Sequence, residues 1–176
     1  MAKRGETLED LGRREAEYAK ERAARLAERE EAQARLTKDV PERFFKLCSD
    51  VRENVRVFNE ATDPQRRFTW RESPALAARD ANLSGDFNCG FSRAGCDVTL
   101  SLIEMSRSGK PNVYIIEASG LFKDQSFLFR IEGYPDKGKT SYRMTLDLAR
   151  LPYGIDELAD RLVRAAVKLD YVTLTS

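Results

Sequence analysis

Three observations predict an α+β fold: an antiparallel β-meander of about four to six strands with helices packed on one face, preceded by a long charged N-terminal helix. Period-two segments recur between Asp97 and Leu148. Two stretches, Val40–Phe58 and Ile155–Leu169, carry apolar residues at spacings of three and four. The segment Thr7–Leu36 is dominated by Glu, Arg, Ala and Leu, all strong helix formers. A chain of 176 residues suits one domain with an appendage, which places a charged helical extension at 1–38 and a single α+β domain at 39–176.

In the first segment Thr7 and Asp10 resemble a capping box. Glu9–Arg13, Asp10–Arg14, Glu21–Arg25 and Glu31–Arg35 set an acid four residues before a base, each pair supporting a helix by about 0.2–0.5 kcal/mol. The apolar stripe is thin: Leu8, Leu11, Tyr18, Leu26 and Leu36. Three readings stand open. The segment is a short coiled coil joining copies or docking a partner, a solvated helix extending from the domain, or a basic arm for nucleic acid, which the interleaved glutamates oppose.

Thr37–Val40 is expected to break the helix, and Asp39-Val-Pro-Glu42 to restart it with an acidic cap and Pro in the first turn. Val40, Phe44, Leu47, Val51, Val55 and Phe58 then form the clearest helical stripe, with Asp63-Pro64 closing it in a loop. Arg66–Arg71 reads as a strand bearing bases beside the only tryptophan. Ser73-Pro74 opens a short helix over Ala75–Asn82, and Phe87–Phe91 is a further strand.

The meander follows. Val98, Leu100 and Leu102 alternate with polar residues, as do Phe127, Phe129 and Ile131, and Tyr142, Met144, Leu146 and Leu148. Such alternation suits strands with one buried face. Turns are expected at 108–112, 120–125 and 135–138. A last helix puts Ile155, Leu158, Leu162, Ala165 and Leu169 on one face, and Tyr171–Ser176 forms an edge strand or frays.

Composition narrows the chemistry. Formal charge is +1 and histidine is absent, so catalytic triads and His-ligated zinc cannot be assembled within this chain. No apolar run approaches the roughly 20 residues of a membrane span, and no secretory signal is read at the N-terminus. With Cys48, Cys89 and Cys96 as reduced thiols, the expected location is the cytoplasm. Cys89 and Cys96 are too few for a structural zinc site and too far apart for a C-x-x-C redox motif, which leaves small buried side chains, or a disulfide or thiol sensor. Neither metal nor cofactor is expected.

Two motifs remain. Gly133–Thr140 fits the P-loop pattern G-x-x-x-x-G-K-[ST], in which Gly138, Lys139 and Thr140 would hold phosphate and magnesium. The alternation after Thr140 reads as a strand, however, where a P-loop needs a helix, so a hairpin turn with Pro135 as its second residue is favoured. Arg66, Arg67, Trp70 and Arg71 form a candidate binding patch, extended by Arg79 and Arg93, if the aromatics stack on bases while the arginines hold phosphate. The bland alternative buries the aromatics. Glu104, Glu117 and Glu132 read as polar-face residues. The expectation for function is a non-catalytic module that binds protein partners or self-associates. A nucleic-acid-binding module comes second and a nucleotide-binding enzyme third. Lys139→Ala is expected to leave stability nearly unchanged and to abolish no nucleotide affinity; micromolar ATP binding that disappears in this variant would overturn the hairpin reading.

Overall fold

A computed structural model describes residues 7–78, 88–107, 110–122, 125–136 and 139–176. A long helix, α1 (Leu8–Ala61), crosses one face of a seven-stranded antiparallel sheet. The strands are β1 (Thr69–Glu72), β2 (Asn88–Arg93), β3 (Cys96–Arg107), β4 (Lys110–Ser119), β5 (Ser126–Asp136), β6 (Lys139–Leu146) and β7 (Ala149–Arg150), each beside its sequence neighbour. Between β1 and β2 lies the short helix α2 (Pro74–Ala77), capped by the Ser73 hydroxyl accepting from Leu76 N–H. Helix α3 (Ile155–Lys168) and the one-turn α4 (Val172–Thr175) complete the chain.

The register puts one set of side chains on the inner face. Leu100 lies opposite Ala118, Ile116 opposite Phe129, and Ile131 opposite Met144, all buried. They share a core with Leu36, Val40, Phe44, Leu47, Val51 and Val55 of α1, and with Leu158, Leu162, Ala165 and Ala166 of α3. Arg43 and Lys46 of α1 pair with Asp156 at the start of α3. The seventh strand beyond the expected range is the two-residue β7, too short to leave a period-two signal.

Several expectations are corrected. Helix α1 runs unbroken through Thr37–Val40 and over Pro41. An interior proline costs about 3 kcal/mol. Burying Leu36 and Val40, both 0% exposed, stabilises by roughly 1.5–3 kcal/mol each, so a break there would lose as much as it relieves. Asp39 is accordingly no cap; its carboxylate accepts a hydrogen bond from the Tyr142 hydroxyl on β6. Pro135 is not in a turn but in β5, opposite Thr140. Tyr171–Ser176 forms no strand: α4 folds back so that the Tyr153 hydroxyl donates to the Leu174 carbonyl, with Leu174 buried. Leu169 leaves the buried face of α3 as its left-handed C-cap (φ 53°), half exposed.

Leu148 likewise leaves the strand pattern. Asp147 (φ 49°) and Leu148 (φ 71°) both take left-handed backbone between β6 and β7, the geometry of a type I′ turn. Gly120 also has positive φ (73°), and a Cβ there would fall 1.9 Å from the Asp97 carbonyl oxygen. Opposite effects follow in urea denaturation. Leu148→Gly, at a position 93% exposed, is expected to gain about 1 kcal/mol by releasing left-handed strain. Gly120→Ala is expected to lose at least 1–2 kcal/mol.

Candidate functional site

Where α1 ends, the chain turns back along it. Asp63 caps a 3-10 turn (Pro64–Arg66) by accepting from Gln65 N–H at 2.9 Å, and the returning chain becomes β1, an edge strand. Asn59 of α1 fixes the approach: its Oδ1 accepts from Phe68 N–H and its Nδ2 donates to the Phe68 carbonyl, both at 2.8 Å. Asn59 thus bonds to Phe68 as a neighbouring strand residue would. The Phe68 ring is buried between Phe58 (5.3 Å) and Phe91 (5.2 Å, edge-on).

Between α1 and β1 lies a groove of about 660 Å³, with Val55, Phe68 and Trp70 as its apolar lining and Asp50, Arg52, Glu53, Arg56, Asn59, Glu60 and Arg67 around them. Its charges are mostly committed. Arg56 pairs with Glu53 and Glu60, Lys46 with Asp50, and Arg52 with Glu72 at 3.8 Å. Trp70 Nε1 donates to Glu72 at 3.3 Å. Among the described residues, no acid lies within ion-pair distance of Arg66 or Arg67, both exposed.

The four residues of the basic-aromatic stretch do not converge. Trp70 turns toward α1, whereas Arg71 turns to the opposite sheet face, where it pairs with Asp97 and donates to Thr99 Oγ1 at 2.7 Å. Gly90, opposite Arg71 in β2, leaves room for this crossing, since a Cβ there would meet the guanidinium at 3.2 Å. Arg93 turns inward, over the Phe68 ring and onto the last carbonyls of α3 at Ala166 and Val167. Arg79 lies outside the described residues.

At the P-loop-like segment, Lys139 and Thr140 stand in β6 opposite Asp136 and Pro135, in an antiparallel hairpin followed by strand. Gly138 lies outside the described residues. Of the three glutamates, Glu132 pairs with Arg143 and Arg130, and Glu104 accepts from the Tyr114 hydroxyl at 3.0 Å.

Sequence reasoning missed two contacts. One is Asn59, which carries no periodic signal and lies in the last turn of α1. The other is Cys48–Cys89, whose sulfurs lie 3.0 Å apart in the core; the shared hydrogen bond and burial hold the Cys48 thiol well above its ordinary range. Its signal was present, because Cys48 falls on the α1 stripe and Cys89 on the inward phase of β2. Cys96, the partner weighed from sequence, sits instead 4.0 Å from the Leu121 carbonyl. No three Cys, Asp or Glu side chains converge as metal ligands among the described residues, and no described helix is long and apolar enough to cross a membrane.

No protein-family model, curated protein or solved structure matches the chain.

Asn59→Leu keeps the side-chain volume but orphans both Phe68 main-chain groups. It is expected to destabilise by about 1–3 kcal/mol, read from denaturant midpoints, and to red-shift Trp70 emission as β1 loosens. An unchanged midpoint would show that the clamp is dispensable.

Proposed function

We propose that this chain is a non-catalytic protein-interaction or assembly module whose N-terminal arm makes the principal contact. The observation that supports this reading is the arm itself. Leu8–Glu31 is helical and solvent-exposed throughout, yet continuous with the buried half of α1. Along it Leu8 is 89% exposed, Tyr18 71%, Leu26 51% and Leu11 44%, apolar surface that a monomer leaves in water. Acids and bases alternate around it, with Glu21 and Arg25 3.9 Å apart and Glu31 pairing with Arg35 at its inner end. Charges so placed suit pairing with a second helix.

The nucleic-acid reading draws less support. Trp70 and Arg71 face opposite ways, so this indole and this guanidinium do not serve one strand of bases and phosphates together.

Self-association is the form to test first. Light scattering on a size-exclusion column is expected to give a multiple of 20.0 kDa for the full-length chain. Changing Leu11, Tyr18 and Leu26 together to Asp is expected to return it to monomer with an unchanged melting curve. A wild-type monomer at every concentration would overturn self-association, and co-purifying nucleic acid would favour the second reading.

A further inference from the structure

The edge of β1 offers a second surface, independent of the arm. In an antiparallel strand, alternate residues direct both main-chain groups to the same neighbour. Ser73 N–H donates to the Asn88 carbonyl of β2 at 2.9 Å, so residues 73, 71 and 69 turn their polar groups into the sheet. Residues 72, 70 and 68 then turn theirs away. The Asn59 clamp is an independent check, for it takes both groups of Phe68 on the side away from β2. It follows that Trp70 N–H and C=O point out of the sheet along the groove beside α1, and among the described residues nothing bonds to either.

An open edge four residues long is ordinarily guarded by charge or brevity against chance pairing. Here the guard is partial. The groove is lined by Val55, Phe68 and Trp70, and its ion pairs are closed among themselves except at the end where Arg66 and Arg67 stand without an acid in reach. The cleft beside β6 differs: Tyr142 bonds Asp39, Arg43 pairs with Asp156, and its volume is about 380 Å³.

We propose that the α1–β1 groove binds an extended peptide segment of a partner protein by strand addition to β1, and that the segment combines an apolar side chain with a neighbouring acid. The peptide main chain pairs with Trp70 N–H and C=O, taking up the ladder where Asn59 leaves it. Its apolar side chain covers Val55 and the indole of Trp70. Its carboxylate meets Arg67, with Arg66 adjacent. Main-chain pairing supplies affinity in this mode, and side-chain pockets supply specificity.

Trp70, the only tryptophan, reports on this site directly. The probes are capped octapeptides alternating Val, Leu or Phe with Asp or Glu, titrated into the full-length chain with excitation selective for tryptophan. At least one peptide of the panel is expected to blue-shift the emission in a saturable way. The same peptide N-methylated at alternate main-chain nitrogens is expected to bind at least tenfold more weakly, as is its Lys-for-acid counterpart. Arg67→Glu, at an exposed position, is expected to weaken the acidic peptide several-fold and to strengthen the Lys version.

Several outcomes overturn the proposal. One is no saturable shift with any peptide; another is equal binding of both N-methylated registers. A third is a shift produced by a single-stranded oligonucleotide but by no peptide. The arm variant of the preceding section keeps the groove, so its peptide titration separates failure here from failure of arm-mediated assembly.

Discussion

Between Ala32 and Val55, α1 lays Ala32, Leu36, Val40, Phe44, Leu47, Cys48, Val51 and Val55 against the inner face of the sheet, each buried. That seam is the constraint on which the rest of the molecule depends. At its N-terminal end the fit is close enough that β5 carries a glycine: a Cβ at Gly133 would lie 3.0 Å from the Ala32 carbonyl oxygen. Midway, Cys48 meets Cys89 of β2. At its C-terminal end Phe58 and Asn59 receive Phe68. One helix therefore touches strands from both halves of the sheet, and α3 docks beside it through Arg43, Lys46 and Asp156. Hydrophobic burial, the dominant favourable contribution to folding, is concentrated along this line.

The polar groups at its margins are handled by specific residues. Arg93 places its guanidinium over the Phe68 ring and its donors on the C-terminal carbonyls of α3, where a helix dipole favours a cation. Burial pushes the Tyr153 hydroxyl up to about 12, keeping it a donor to the Leu174 carbonyl that fastens α4. Arg161 adds a bond to Thr173 and lies 3.9 Å over the Tyr153 ring. The approach to β1, the end of α3 and the turn of α4 are thus each fastened by a side chain.

The fold was legible wherever burial imposed a period. The inward rows of β3 to β6 and the α1 and α3 stripes follow from the alternation of Leu100, Phe129 and Met144 and from the spacing of Phe44, Val51 and Leu162. What escaped were places where tertiary contact outweighed a local signal. Pro41 announces a helix start, yet Leu36 and Val40 hold the helix through it. Leu148 and Leu169 continue an apolar pattern, yet both take left-handed backbone at turns. For the candidate site, sequence drew attention to Arg67 and Trp70 but also to Arg71, which period two sets on the opposite face from Trp70, and to Arg93, whose inward turn depends on where α3 lies. Asn59 carries no periodic signal at all, and its role exists only once α1 and β1 lie side by side.

The continuity of α1 through Pro41 has a mechanical consequence. A helix rises about 1.5 Å and turns about 100° per residue, so the exposed Leu8–Glu31 stretch is a rod of roughly 36 Å. Because no loop separates it from the buried half, both its length and its rotational phase are clamped by the core. Whatever grips the far end is thereby held at a set distance and bearing from the sheet, and a pull on one is felt as torque by the other. A jointed linker of equal length would transmit neither.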